Sequence, residues 1–378
     1  MKQELIPVCE PFLNGNEKKY VLEALETGWI SSAGKFIPAF ESAFAAYVGV
    51  RHGIAVCNGT VALHLALVAL GIKKGDEVII PDFTMIASAF AVCYTGAIPV
   101  FVDAEPTTWN IDAEKIRAKI TARTKAIMPV HIYGHPCDLE PIHAIAREYG
   151  LKIIEDAAEV HGAEYRGKKC GALGDIAAFS FFANKIATTG EGGMVVTDDE
   201  ELADRCRYFK NLCFPLKGGR TYTHDDIGFN YRMSNIHAAI GLAQVENLDA
   251  YVAARRRVHA LYVEGLRGIP GIMLQPEAAS CKNVYWMNGV VVDRKLFGVD
   301  RDTLSSKIRE RGIDSRSFFV GMNRQRSLRD FGCDASGPYE TSSWLTENGF
   351  YLPSSSNLSE EDSHRICQEI RSIHENAK

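Results

Sequence analysis

The sequence predicts an α/β protein: a mostly parallel central sheet covered by helices, followed by a smaller C-terminal α+β domain. Three observations carry that expectation. Short apolar runs alternate with helical or loop segments from about residue 50 to 200, the order that builds a parallel sheet covered on both faces. After residue 268 the order changes to a strand-like run, helical patterns and a loop-rich stretch. The length of 378 residues, at roughly 100–200 per domain, favours two domains with ample chain for a core. The large domain is expected over 1–245 and the small one over 246–378.

The first strand is Ile54 to Cys57. It runs into a tight turn, Asn58-Gly59-Thr60, and then a helix apolar on nearly every side that stops at Gly71. Glu77 to Pro81, Ile98 to Val102, Ala126 to Val130 and Lys152 to Glu155 follow as short buried strands. No Gly-x-Gly-x-x-Gly follows the first strand, which disfavours a dinucleotide site of the Rossmann kind. Asp175 to Phe182 is apolar and aromatic and Met194 to Thr197 is β-branched, so both read as core strands. Beyond Asn230 the pattern is one long helix, Ser234 to Leu266, with no proline inside it, a length that suits a connection between domains. Tyr285 to Val292 reads as a strand, Asp302 to Arg311 as a helix and Ser359 to Asn376 as the closing helix.

Composition excludes several classes. A net charge of −5 and a pI near 6.1 leave no electrostatic footprint for nucleic acid, and Arg255-Arg-Arg257 falls on an amphipathic helical pattern that reads as a solvated side. Ten cysteines are scattered without a Cys-x-x-Cys pair, so zinc-ligand spacing is absent and no metal is expected. No apolar stretch of about 20 residues and no leader-like segment occurs, so no membrane association is expected. A reduced cytoplasmic protein is the economical reading.

Lys185 lies in the short connection between the last two of these core strands. It reads either as a lysine whose head reaches solvent or as a desolvated amine, lowered in pKa and able to form a Schiff base with an aldehyde. Two upstream features favour the second. Asp156 stands at the carboxyl end of the strand Lys152 to Glu155, where ligands collect in open α/β sheets. A carboxylate there could hold a pyridine nitrogen protonated and let pyridoxal phosphate act as an electron sink; capping a following helix is the other role open to it. The turn Asn58-Gly59-Thr60, opening a helix, offers unpaired N–H groups at the positive end of the dipole, where a phosphate would fit. The same triplet also matches a glycosylation pattern that matters only in a secreted protein.

With Asn58-Gly-Thr60, Glu155-Asp-Ala-Ala-Glu159, Ser180-Phe-Phe-Ala-Asn-Lys185, Gly190-Glu-Gly-Gly193 and Gly228-Phe-Asn-Tyr-Arg-Met-Ser-Asn235 in this order, the chain resembles the sugar aminotransferases of the DegT/DnrJ/EryC1/StrS family over essentially its full length. The resemblance implies the pyridoxal-phosphate-dependent transferase fold of type I and pyridoxal 5'-phosphate as cofactor. It assigns Lys185 to the covalent bond with the cofactor and to proton shuttling, and Asp156 to the ring nitrogen. Gly59, Thr60 and the Ser180 hydroxyl would hold the phosphate, with Asn58 beside them as a further cofactor-binding residue. Asn230 would reach the cofactor of a neighbouring subunit, which implies a homodimer with shared active sites. Glu159 would sit near the ring oxygen or the amino-transfer centre, its alternative being a first-turn acid favoured by a helix dipole. Met85 stands where relatives place an aromatic residue over the ring.

Gly15-Asn-Glu17, Gly28-Trp-Ile-Ser-Ser32, Pro129-Val-His-Ile-Tyr-Gly134 and Ala238-Ala-Ile-Gly-Leu-Ala-Gln244 are similar to the branch that aminates C4 of GDP-4-keto-6-deoxymannose. The implied substrates are a keto sugar nucleotide and glutamate. Trp29, Ser31 and Ser32 would lie near the substrate entrance. Lys217, Arg220, Arg316 and Arg324 are cations for a nucleotide diphosphate or else ordinary exposed ones. Asn323 stands near the place where that branch usually carries a histidine, which leaves a 3-keto sugar, a cyclitol or a small keto phosphate as alternative acceptors. A same-fold dehydratase replaces the lysine with histidine, so Lys185 argues against it. A non-enzymatic regulatory binding protein on this scaffold is the reading from another class.

Overall fold

The computed structural model describes residues 5–219 and 221–377. Its central sheet has seven strands: β1 (His52–Val56), β2 (Glu77–Pro81), β3 (Ile98–Val102), β4 (Thr124–Ile127), β5 (Lys152–Asp156), β6 (Ile176–Ser180) and β7 (Gly193–Thr197). The spatial order is β1-β7-β6-β5-β4-β2-β3. The run β6-β5-β4-β2-β3 is parallel, and β7 alone is reversed, pairing antiparallel with both β6 and β1. The expected mostly parallel sheet is therefore present. All seven expected runs form strands, with ends that differ by up to three residues.

Helices cover both faces. The all-apolar pattern after the first strand becomes α3, whose range is Gly59–Ala69, and nearly every residue from Ala62 to Ala69 is buried. Asn58 caps it: its side-chain oxygen accepts from the Val61 N–H at 3.0 Å. On the other face lies α2 (Phe36–Val48), which follows α1 (Glu17–Glu26) in the chain and which sequence reading passed over. Its Phe40 and Phe44, four residues apart and fully buried, meet Phe181 edge-on at 5.0 Å each, and Phe44 meets Phe179 at 4.8 Å. Such edge-to-face pairs add about 0.5–1.5 kcal/mol each beyond burial. Here they fix the end of β6 and the loop that follows it.

The expected long helix is two helices, Asn235–Glu246 and Leu248–Gly265. Asn247 leaves helical geometry between them at φ −115°, ψ 8°. No proline was needed, because an asparagine side chain competes for nearby backbone groups and ends helices readily. In the C-terminal part, Ile272–Leu274, Asn288–Val292, Gly349–Leu352 and Arg316–Ser317 form an antiparallel sheet in that order. Helices Arg301–Glu310 and Glu360–Glu375 pack on it around Leu304, Ile308, Ile366 and Ile370. The strand expected from Tyr285 starts only at Asn288, because Tyr285 has φ +48°. Among the described residues no helix is long and apolar enough to cross a membrane.

Candidate active site

The carboxyl ends of β2, β4, β5 and β6 open on one cleft of about 600 Å3. It is lined by Asn58, Gly59, Thr60, Met85, Asp156, Glu159, Ser180 and Lys185, with Thr84, Ser88, Phe182, Trp286, Phe319 and Tyr351 among the other walls. Eight residues singled out for cofactor chemistry in four distant sequence segments thus share one space. The sheet explains it: parallel strands bring their carboxyl ends to one edge, where ligands bind.

One end of the cleft is the start of α3. The first N–H groups of a helix have no intrahelical acceptor, so those of Gly59 and Thr60 are available to an anion. Gly59 is required there by close approach: a Cβ on it would lie 2.7 Å from the Ser180 Cβ and 3.0 Å from the Ser180 Oγ. The missing side chain lets the helix start and the Ser180 hydroxyl converge.

Deeper in, Asp156 ends β5. The Ser88 hydroxyl donates to its Oδ2 at 2.7 Å and the Ala158 N–H to its Oδ1 at 3.2 Å. No helix follows; the capping alternative for Asp156 is replaced by a turn. Burial raises its carboxyl above the usual carboxylate range, against the opposing pull of the Ser88 hydroxyl and of Lys185. Glu159 accepts from the Tyr133 N–H at 2.7 Å, and burial pushes it up to about 7. It too lies in the turn, so its reading as a first-turn helix acid does not hold.

Lys185 lies on the loop between β6 and β7 with its side chain only 10% exposed, and its backbone N–H donates to the Phe182 carbonyl at 2.9 Å. Its Nζ stands 3.9 Å from a Glu159 oxygen and 3.6 Å from the centre of the Trp286 ring. Burial lowers its pKa, while the charges of Glu159 and Asp156 act in the opposite direction. The lysine reaching solvent is thereby excluded.

A second buried group, His131, Glu155 and Cys170, has atoms close enough to hold a metal. Glu155 is already engaged, accepting from the N–H groups of Gly171, Leu173 and Gly174 at 2.7–2.8 Å and from His131 Nε2 at 3.1 Å. His131 Nδ1 accepts from the Cys137 N–H, which leaves the ring hydrogen on Nε2. Burial pushes the Glu155 carboxyl up, but these hydrogen bonds outweigh it and hold the group below the usual range. The cluster ties β5 to the loop before β6.

Other expected residues do not line the cleft. Trp29 is exposed, and its carbonyl accepts from the Asn235 side chain, while the Ser31 carbonyl accepts from the Asn235 N–H. Ser32 and Lys217 line a separate hollow of about 530 Å3 with Phe214 and Arg232. Asn230 is exposed and bridges to Asn211. Arg316 pairs with Asp314 at 2.8 Å and Arg324 with Glu347 at 2.6 Å. Asn323 packs on Asp82, its N–H donating to the Asp82 Oδ1 at 2.7 Å. Arg220 lies outside the described residues. Sequence reasoning in turn missed Ser88, Trp286, Phe319 and Tyr351. Only Ser88 had a signal, as a hydroxyl in the first turn of the helix Ile86–Tyr94 that follows β2.

The sequence pattern of the DegT/DnrJ/EryC1/StrS aminotransferase family matches residues 11–371. The chain is 48% identical over 369 residues to the GDP-perosamine synthase of Caulobacter vibrioides, covering 97% of this chain and 98% of that protein. It is 43% identical to the GDP-perosamine synthase of Escherichia coli O157:H7, covering 98% of each. Among solved structures, S. venezuelae DesV in complex with ketimine intermediate superposes with a TM-score of 0.88 at 34% identity, covering 95% of this chain and 94% of that one. A 3-amino-5-hydroxybenzoic acid synthase superposes with a TM-score of 0.92 at 30% identity, covering 99% and 100%.

Proposed function

The chain belongs to the DegT/DnrJ/EryC1/StrS aminotransferase family, and on that premise we propose that it transfers the amino group of glutamate to C4 of GDP-4-keto-6-deoxymannose, giving GDP-perosamine. It is a pyridoxal-phosphate-dependent sugar-nucleotide aminotransferase. The observation that carries the reading is the buried Lys185 amine, facing Glu159 in a cleft that also holds Asp156 and the free end of α3.

The residues fit the coenzyme. The missing side chain at Gly59 lets the start of α3 lie against the Ser180 hydroxyl, and the donors so brought together suit a phosphate. Asp156, with two donors already on its oxygens, is the acid for the ring nitrogen, and Lys185 the amine for the aldehyde carbon. When bound, the coenzyme supplies an electron sink at the substrate carbon that exchanges its proton. Lys185 takes and returns that proton at Nζ, helped by the burial that lowers its pKa. Ser88 holds the Asp156 carboxylate in place through its Oδ2. Glu159, pinned by the Tyr133 N–H, keeps a proton-accepting group beside the amine. The apolar walls Trp286 and Phe319 help to keep water from the amine.

In the same reading the protein is a homodimer with shared active sites, to which exposed Asn230 and the hollow with Ser32 and Lys217 contribute across the interface. Trp29 and Ser31 line the sugar's entrance, and Arg220 and Arg316 serve the diphosphate. Residues 1–245 form the coenzyme domain and 246–378 the smaller one. The ten free cysteines fit a reduced cytoplasm.

A different keto acceptor is the second reading. Asn323 packs on Asp82 rather than lining the cleft, and a 3-amino-5-hydroxybenzoic acid synthase shares the scaffold, so the fold does not decide the acceptor. Purified protein incubated with glutamate and a panel of GDP-, UDP- and dTDP-linked keto sugars, with products read by mass spectrometry, tests both. Amination of the GDP-4-keto sugar with kcat/KM above every competitor supports the first reading, and preference for another acceptor supports the second. No amine transfer to any of them, with coenzyme bound, would sink both.

A further inference from the structure

We propose that Trp286 is a positioning residue for Lys185, its indole face being the resting place of the lysine's ammonium whenever that amine is not covalently engaged. The inference rests on the reading of Lys185 as the coenzyme lysine and adds a residue that none of the family motifs contains. Nζ lies 3.6 Å from the ring centre, well within the reach at which a cation is attracted by the negative face of an aromatic ring, and tryptophan is the strongest such partner.

The placement of the ring is built. Trp286 is 3% exposed, and its Nε1 donates to the carbonyl of Asn184, the neighbour of Lys185, at 2.8 Å. One side chain thus fixes both the backbone of the lysine loop and the spot where the amine settles. The backbone before it is held in an unfavourable region, Tyr285 at φ +48°, with its N–H donating to the Asn283 side chain at 2.7 Å. Gly134 makes room: a Cβ there would lie 2.6 Å from the Trp286 nitrogen and 2.7 Å from that of Tyr285. A strained residue, an obligatory glycine and an indole hydrogen bond all serve one orientation.

The ring acts on the charged amine only. Burial lowers the pKa of Lys185, and the charged or titratable groups facing it are Asp156 at the end of β5, Glu159 in the turn that follows, Cys9 from the N-terminal segment and His161. Of these, Glu159 lies 3.9 Å away on one side, and the indole closes another. A protonated amine is drawn to the ring and kept in the cleft, and an amine that has given up its proton is released from it. The same contact therefore sets where the proton carrier waits and how firmly it holds its proton.

Competitive acetylation of Lys185 in the coenzyme-free enzyme, followed against pH by peptide mass spectrometry, reads the apparent pKa of that amine without any turnover. In Trp286→Leu the pKa falls by about 0.4–1.5 units relative to wild type. Trp286→Phe, which keeps a ring face but loses the bond to Asn184, falls by less. An unchanged value in Trp286→Leu, or equal falls in the two variants, overturns the proposal. The wild type gives a second measurement that needs no change at position 286: part of the tryptophan emission titrates with the Lys185 pKa and ceases to do so in Lys185→Ala, and emission that ignores that titration overturns it as well. Borohydride reduction of the pyridoxal-phosphate-loaded wild type checks the reading beneath. A label on the Lys185 peptide upholds it; a label elsewhere removes it, while the acetylation result still speaks for or against Trp286.

Discussion

Gly59→Ala tests the phosphate cradle most directly. The added methyl would stand 2.7 Å from the Ser180 Cβ, and ordinary contact begins near 3.4 Å, so α3 and β6 must part by about 0.7 Å. Strand β6 is paired on both sides and cannot yield freely. Overpacking of this kind costs roughly 1–3 kcal/mol of folding stability. The effect on the coenzyme is separate. Losing one charge-assisted hydrogen bond of about 1.5–3 kcal/mol corresponds to a dissociation constant raised roughly 10- to 150-fold. Urea unfolding of the coenzyme-free protein reads the first effect, and titration with pyridoxal phosphate followed by absorbance reads the second. Adding Ser180→Gly to the variant removes the obstructing carbon: stability returns, while affinity stays low because the hydroxyl is gone. If Gly59→Ala binds the coenzyme within threefold of wild type, the helix start and Ser180 do not hold the phosphate.

Lys185→Ala keeps the fold, loses the coenzyme's visible absorbance bound as in wild type and abolishes complete turnover; normal turnover with glutamate and acceptor would refute the assignment. Glu159→Gln tests the buried acid by pH. Its folded-state pKa of about 7 is raised above the ordinary 4.5, so the protonated form is favoured by folding: stability is greatest below about 4.5 and is lost as pH rises toward 7. The shift sets an upper bound of about 3 kcal/mol on this contribution, and urea midpoints of the coenzyme-free variant should lack that slope between pH 4.5 and 7. Glu155→Gln places an amide against at least one backbone N–H that the carboxylate accepts, and about 3 kcal/mol of stability is lost by urea unfolding.

The chemistry of the cleft was legible where it is written in short contiguous runs. Lys185 sits between two apolar strands and Asp156 at the end of a third, and the rule that parallel strands present their carboxyl ends together turned those positions into one place. Asn58-Gly-Thr60 declared its helix start through turn chemistry. Trp286 was not legible, because its orientation depends on a positive φ at Tyr285 and on the absent side chain of Gly134, two facts of distant backbone geometry. The break at Asn247 was hidden for a similar reason: apolar spacing continues across it, and only a competing side chain marks the change. Asn323 was expected near the sugar because of its neighbours in sequence, yet the carboxylate of Asp82 captures its backbone.

The reversal of β7 reaches further than topology. Because Ser180 pairs with Gly193, the segment bearing Lys185 is tethered at both ends, and Phe181 further grips Gly192 and Thr189 through its backbone. The α-carbon of the lysine therefore has almost no travel. Any task that asks its amine to visit two positions in a catalytic cycle falls to rotation about four side-chain bonds, a fast motion that leaves the walls of the chamber undisturbed.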